Sequence, residues 1–184
     1  MSVARMGDGK LLCVDSVTNV RDIVAVAKSA IRKHDATVVV VDYAQLVRPA
    51  ERAENRNLEV AAISRALQQL AQKQNVAVVL LSQFNRAMTG REPCLADLRD
   101  SGALEQDAHM AILLSRDERK AKGETRVEVL CNVAKNRNGP TPKVPLIMDM
   151  ERMLFSGGQN LAGRQNAMFS DGSQDDDMRW DIPF

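Results

Sequence analysis

The chain has 184 residues, which suits one domain, and 45% of them are apolar, enough to bury a core. Its net charge of +1 excludes a strong basic field over the whole surface, so contacts with nucleic acid must come from local clusters. Cys13, Cys94 and Cys131 form no C-x-x-C pair, which argues against a disulfide framework and favours a reducing compartment. There is no secretory or membrane-spanning apolar segment, so we expect a cytoplasmic location.

Helices and short apolar strands alternate in the first half of the chain. A short apolar segment, LLCVD, is followed by Asn19 and Asp22, a pattern that predicts the start of the helix VRDIVAVAKSAIRKH. VVVV and VAVVLLS are too short and too β-branched for helices, and they flank a second helical pattern, LEVAAISRALQQLAQKQ. Continuous apolar strands separated by helices predict an α/β fold, with a mostly parallel sheet covered by helices on both faces.

From Met110 the pattern changes to strands without a long helix between them. MAILLSR, TRVEVLCNVAK and KVPLIMD are typical of strands, and Asn138-Gly139 predicts a tight hairpin between the last two. After Phe155 the sequence is rich in Gly, Ser, Asn, Gln and Asp, which predicts disorder. We therefore expect a folded domain over residues 1–155 and a disordered acidic tail over residues 156–184.

Asp42 and Gln83 each follow one of the apolar strands of the first half. Parallel neighbouring strands would bring both side chains to the same sheet edge, the arrangement found in nucleotide-hydrolysing cores. The carboxylate is costly at the end of a buried strand unless a cation or hydrogen bond compensates it, and the amide suits a phosphate or a water. Each residue alone has an ordinary explanation, since an Asp at a strand end is often a local cap.

Two further clusters of candidate residues lie later in the chain. Arg99, Asp100 and Gly102 lie in a loop that enters a helix, where backbone amides and a guanidinium can hold a phosphate. Lys135 and Arg137 occupy alternate positions of a strand and therefore share a face next to the predicted hairpin, which suits a polyphosphate. A charged helix start and a solvated hairpin end are the alternatives.

The order of four blocks resembles that in one enzyme family. DYAQLV, LSQFNR, DLRDSGALEQDA and AKNRNGP follow one another as in the C-terminal half of the DnaB-type replicative DNA helicase core, a RecA-like ring ATPase. The resemblance covers about residues 9–155. It implies that Asp42 is the Walker B carboxylate acting on Mg²⁺, and that Gln83 senses the nucleotide between the ATP and DNA sites.

The same resemblance assigns roles to the two later clusters. Arg99, Asp100 and Gly102 are expected to contact the backbone of single-stranded DNA in the channel of the ring. Lys135 and Arg137 are expected to reach the ATP site of a neighbouring subunit, with Arg137 as the arginine finger. A RecA-type recombinase shares this fold, but it does not explain the third and fourth blocks together.

The sequence departs from the family pattern in three places. FNRAMTGREP is short, Asp100 stands where Glu is commoner, and the first part of the core, with its phosphate loop, is missing. GDGKL does not match G-x-x-x-x-G-K-[ST], because Ala4 occupies the first glycine position and Leu11 replaces the hydroxyl residue. We therefore expect ATP hydrolysis to need a complementary polypeptide. A split gene, an insertion and a late start codon remain open as explanations.

The chain ends in SDGSQDDDMRWDIPF, an acidic segment with apolar residues at its tip. It resembles the Phe-ended tails of bacterial single-stranded-DNA-binding proteins, which implies docking of Trp180, Ile182, Pro183 and Phe184 on replisome proteins. A solubilising tail is the alternative. The sequence thus predicts a subunit or fragment of a ring helicase that uses ATP and Mg²⁺ on single-stranded DNA, and the alternative is a non-catalytic replisome adaptor that docks on helicase subunits.

Overall fold

The computed structural model describes residues 2–6, 9–84, 92–98, 102–116 and 123–157. Within these ranges the α-helices are α1 (Val20–His34), α2 (Arg56–Gln74) and α3 (Gly102–Asp107). The strands there are β1 (Ser2–Met6), β2 (Gly9–Cys13), β3 (Val38–Val41), β4 (Ala77–Leu80), β5 (Met110–Arg116), β6 (Arg126–Asn136), β7 (Lys143–Asp149) and β8 (Leu154–Gly157). Two single turns of 3₁₀ helix are formed by Ala44–Leu46 and Leu95–Asp97.

The chain divides into two compact units. One comprises Met1–Ser115 and Leu130–Lys143, and the other comprises Arg116–Val129 and Val144–Phe184. The first unit contains the helices, the parallel strands and the sequence-predicted site residues that the structure describes. In the second unit β7 pairs antiparallel with β8, and the amide of Met150 donates to the carbonyl of Thr125 at 2.8 Å.

Helix α1 has the bounds that the sequence pattern predicts, and Asn19 caps its first turn. The side chain of Asn19 accepts a hydrogen bond of 2.9 Å from the amide of Arg21 and donates one of 3.2 Å to the carbonyl of Pro49. The cap therefore also ties the start of α1 to the segment after β3. Asp35 ends the helix in the left-handed conformation, with φ of 54°.

Helix α2 begins two residues before the predicted apolar pattern, because Asn55 supplies a second side-chain cap. Its side chain accepts a hydrogen bond of 3.0 Å from the amide of Leu58, which satisfies one of the free donors of the first turn. The helix ends at Asn75, which has φ of 52°. Val76 then leads directly into β4.

Strands β3 and β4 pair in parallel, with Val41 opposite Leu80. One face of this pair, formed by Val39, Val41, Val78 and Leu80, packs against both α1 and α2. The fully buried residues of this core include Ile63 and Leu67 from α2. The parallel pair and its helical cover confirm the predicted α/β arrangement on this side.

The prediction that helices cover both faces of these strands is wrong for the part of the chain that the structure describes. On the opposite face, Val38 is 52% exposed, Val40 62%, Val79 48% and Leu81 40%. Both helices lie on the other side, since their apolar stripes meet the alternate residues of β3 and β4. The apolar sequence of these strands therefore did not show that one face packs on the helices and the other is exposed.

The N-terminal hairpin of β1 and β2 was not expected from the sequence. The strands pair antiparallel, with Arg5 opposite Lys10 and Met6 opposite Gly9. Lys10 therefore lies within a strand, whereas the lysine of a phosphate loop lies at the start of a helix. This geometry agrees with the sequence-based rejection of GDGKL as such a loop.

The later strands agree with the predicted segments, and β5 and β7 have the predicted bounds. The connection between β6 and β7 is wider than the predicted tight turn. It covers residues 137–142, and the side chain of Asn136 accepts from the amide of Asn138 and donates to the carbonyl of Pro140. Strand β8 extends to Gly157, two residues beyond the predicted domain boundary.

In the four-stranded sheet the order is β5, β6, β7, β8. Among the helices that the structure describes, none combines the length and the apolar character needed to cross a membrane.

Candidate functional site

Asp42 and Gln83 lie at the same edge of the parallel pair, as the sequence pattern predicts. The amide of Leu81 donates to the carbonyl of Val41 at 3.0 Å, which continues the strand ladder to the residue before Asp42. The amide of Ala44 then donates to the carbonyl of Leu81 at 2.8 Å. These two bonds hold the segments that carry Asp42 and Gln83 side by side beyond the strand ends, where open α/β sheets bind ligands.

The carboxylate of Asp42 is exposed, although it follows a buried valine. Among the described residues it has no ion pair or hydrogen bond, so its oxygens are available to a ligand. Exposure removes the desolvation penalty that would oppose a charge in the sheet interior. A single carboxylate also fits the ordinary protein contribution to a Mg²⁺ ion that takes its other ligands from phosphates and water.

Gln45 connects the two strand ends and was not singled out from the sequence. Its Nε2 donates to the hydroxyl of Ser82 at 3.0 Å, and its Oε1 accepts from the amide of Gln83 at 3.4 Å. The carbonyl of Gln45 accepts from Nη2 of Arg56 at 3.2 Å. The signal was its place three residues after Asp42 in DYAQLV, but the partners are 37 and 38 positions away along the chain.

Lys135 and Arg137 converge on one point, the C-terminal end of α3. Nζ of Lys135 donates to the carbonyls of Glu105 and Gln106, the latter at 3.3 Å, and Nη2 of Arg137 donates to that of Gln106 at 2.8 Å. Arg137 lies one residue beyond β6, in the connection to β7, so the shared position does not come from two residues of one strand. The two cations lie together as predicted, but the reason is that both bond to the carbonyl of Gln106.

The remaining predicted site residues are only partly described. Gly102 is exposed and is the first residue of α3. Arg99 and Asp100 lie outside the described residues, as do Trp180, Ile182, Pro183 and Phe184 at the end of the predicted tail. The expected contacts of these residues with DNA and with replisome proteins stay predictions.

The parallel strands, the helices packed on one face and the polar residues at the strand ends define a partial RecA-like ATPase core. Comparison with solved structures supports this class. The chain is similar to a solved ATPase domain, with a TM-score of 0.67, 34% identity and coverage of 77% of this chain and 52% of that one. A second similar structure is that of a DnaB-like replicative helicase, solved to show its interactions with primase, with a TM-score of 0.62, 35% identity and coverage of 71% and 34%.

The chain belongs to the family of DnaB-like helicase C-terminal domains, whose model matches residues 2–157. Among curated relatives, the replicative DNA helicase DnaB of Mycobacterium intracellulare is 42% identical over 139 residues, which are 73% of this chain and 24% of the relative. DnaB of Rickettsia felis is 36% identical over 154 residues, or 72% and 31% of the two chains. This chain therefore spans about a quarter to a third of the length of these relatives.

Proposed function

We propose that this chain works as part of a replicative DNA helicase ring, which unwinds duplex DNA by moving along single-stranded DNA as it hydrolyses ATP. The proposal rests on the placement of Asp42 and Gln83 at one sheet edge, because membership of this helicase family makes a nucleotide the expected ligand there. ATP and Mg²⁺ are the cofactors, and the cytoplasm is the expected location.

In this proposal the exposed carboxylate of Asp42 holds Mg²⁺, directly or through its water. Bound Mg²⁺ neutralises charge that develops on the phosphates during phosphoryl transfer. Gln83 follows the neighbouring strand at the same sheet edge, and its backbone amide donates to the side chain of Gln45. The proposed role of Gln83 is to sense the nucleotide between the ATP and DNA sites.

The proposed role of Lys135 and Arg137 is to act on the ATP of a neighbouring subunit, with Arg137 as the finger. Both cations bond to the carbonyl of Gln106, and Arg137 is exposed whereas Lys135 is half-buried, so a subunit that approaches from outside reaches the pair at Arg137. Arg99, Asp100 and Gly102 are proposed to contact the backbone of single-stranded DNA. Gly102 starts the helix whose other end holds the two cations.

The phosphate loop is proposed to come from a segment outside residues 1–184, on the same or on a complementary polypeptide. Residues 1–184 contain no match to G-x-x-x-x-G-K-[ST], and of the incomplete match at GDGKL the residues from Gly9 onward lie in β2. The apolar face of Val38, Val40, Val79 and Leu81 supports this, because parallel strands are ordinarily covered on both faces. The segment that brings the phosphate loop is therefore expected to pack on this face.

The test is to mix the purified chain with a polypeptide that contains the phosphate-loop half of a DnaB-like ATPase domain, and to measure ATP hydrolysis with and without single-stranded DNA. We expect neither polypeptide alone to hydrolyse ATP at a significant rate and the mixture to show DNA-stimulated hydrolysis. A mixture as inactive as its components contradicts the proposed function.

The alternative is a non-catalytic adaptor, favoured by the acidic C-terminal segment. In this case the chain docks on helicase subunits, and Trp180, Ile182, Pro183 and Phe184 bind a replisome protein. Isothermal titration with a non-hydrolysable ATP analogue separates the two functions. Binding to the mixture at an affinity that neither polypeptide shows alone supports the enzyme, and no binding to the mixture supports the adaptor.

A further inference from the structure

The proposed finger is held by its backbone as well as by its side chain. The amide of Arg137 donates to the carbonyl of His109 at 3.0 Å, while Nη2 of the same residue donates to that of Gln106. Lys135 donates to the carbonyls of Glu105 and Gln106. The short segment 105–109 therefore fixes the cation pair through several independent bonds.

The electrostatics of this end of α3 favour cations. The last carbonyls of a helix lack intrahelical partners and carry partial negative charge, which attracts Lys and Arg. Asp107 adds a buried carboxylate oxygen, Oδ2, for which the described residues supply no hydrogen-bond donor. Since Arg137 is exposed, water competes for these bonds and a polyphosphate, with more charge, can replace the carbonyls.

The segment 105–109 is itself held from the other side by helix α2. Nε2 of Gln68 donates to the carbonyl of Asp107 at 3.2 Å, and Gln68 is half-buried between the two helices. Its neighbours on α2, Ser64 and Leu67, are buried. The helical turn that carries Gln68 is therefore packed into the core. A hydrogen bond from a fixed helix thus limits how far the end of α3 can move.

We propose that Gln68 is a positioning residue for Lys135 and Arg137. By holding the carbonyl of Asp107, Gln68 keeps the carbonyls of Glu105 and Gln106 at the point where both cations bind, and so sets the position from which the pair reaches a phosphate. The inference rests on the proposed function for the role of the cations. It does not rest on that function for the contacts themselves, which lie within one compact unit.

The chain offers matched variants for a test. Gln68→Met keeps the length of the side chain but removes the donor, and Gln68→Lys restores a donor that can reach the same carbonyl. Gln69→Met makes the same chemical change at the next position, where the side chain is exposed. The comparison therefore separates the loss of this bond from a general effect of methionine on α2.

The first measurement is amide hydrogen exchange at Ala108 and Arg137 in the full chain alone. Both amides donate to carbonyls of the α3 region, those of Leu104 and His109. We expect Gln68→Met to raise both exchange rates about fivefold, the effect of one lost hydrogen bond, and Gln68→Lys to return them towards the wild-type rates. Equal rates in the Gln68→Met and Gln69→Met chains overturn the proposal.

The second measurement is ATP hydrolysis by the chain mixed with the phosphate-loop polypeptide. A positioning role predicts a lower kcat for Gln68→Met, by about fivefold or more, with KM for ATP within about twofold and with rescue by Gln68→Lys. An unchanged kcat, with exchange at Arg137 accelerated, shows that the contact positions nothing and overturns the inference. If the wild-type mixture is inactive, the proposed function fails, and the exchange rates still decide whether Gln68 fixes the pair.

Discussion

Gln45 and Ser82 are joined by a hydrogen bond of 3.0 Å from Nε2 to Oγ, across the two strand ends of the parallel pair. The same side chain accepts from the amide of Gln83, so one amide group fixes the spacing of the segments after β3 and β4. The candidate site at this edge therefore depends on a polar link as well as on the packing of valines below it. A residue with no assigned role in the chemistry holds the candidate site together.

Replacing Gln45 by Met removes this link without changing the length of the side chain. We expect the free energy of unfolding to fall by about 1 kcal/mol, since two partly exposed hydrogen bonds are lost and water satisfies part of the demand. Urea unfolding followed by circular dichroism provides the measurement. The control is Leu46→Gln, at a position that is 56% exposed, for which a change within about 0.5 kcal/mol is expected. Equal effects of the two substitutions contradict a structural role of Gln45.

Substitutions to Ala on α2 are expected to lower the free energy of unfolding by amounts that depend strongly on whether the residue lies in the core. Ile63 is 1% exposed and Leu58, on the same helix, is 50% exposed. Ile63→Ala is expected to lower the free energy of unfolding by about 2–5 kcal/mol, because it removes buried methyl groups and leaves a cavity. For Leu58→Ala we expect a loss below about 1 kcal/mol, measured in the same urea titrations. Similar losses at the two positions are inconsistent with the described core.

The helices were predictable because their signals are local. Asn19 precedes a pattern of apolar residues at helical spacing, and both the cap and the helix are found where the sequence places them. Asn55 caps the first turn of α2 in the same way. It lies in a polar loop, so the pattern of apolar residues did not indicate this cap. The sequence pattern did not predict the hydrogen bond from Asn19 to the carbonyl of Pro49, because Pro49 lies 30 positions away.

The two caps therefore differ in what they stabilise. Asn19 both accepts from the first turn of α1 and donates to Pro49, whereas the described bond of the Asn55 side chain is to Leu58 alone. Asn55→Asp keeps the cap and is expected to change stability by less than about 0.5 kcal/mol, while Asn19→Asp loses a donor and is expected to cost about 1 kcal/mol. Thermal unfolding of the two variants at one pH provides the comparison. A cost at Asn55 equal to that at Asn19 contradicts this assignment.

The parts of the site that sequence could not supply are those set by packing and by distant partners. Val38 and Val39 have the same side chain, yet one is exposed and the other packs on the helical core. Apolar composition reports that a strand is suited to burial, without identifying the polypeptide that covers each face. The binding of Lys135 and Arg137 to α3 is similarly invisible in AKNRNGP, because their acceptors lie 29 to 31 positions earlier.

The exposed apolar face gives a prediction about assembly. Val40→Lys places a charge at a position that is 62% exposed, so the chain alone should keep its stability within about 1 kcal/mol. Association with the phosphate-loop polypeptide should weaken at least about tenfold, because a buried, unpaired charge is costly in an interface. Met153→Lys, at a position 69% exposed in the other unit, is the control. Sedimentation velocity measures the association of both variants with the phosphate-loop polypeptide. Equal association by the two variants contradicts packing on this face.

The most direct test of the account is the rate of DNA-stimulated ATP hydrolysis when Arg137→Ala replaces the wild-type chain in the mixture with the phosphate-loop polypeptide. The account predicts a fall in kcat of about 10³- to 10⁵-fold, the range for loss of an arginine finger. Arg152→Ala, which removes an exposed arginine of the other unit, is expected to leave the rate within about twofold. Restored hydrolysis that is the same with Arg137→Ala as with the wild-type chain would contradict the claim that this chain completes its neighbour's ATP site.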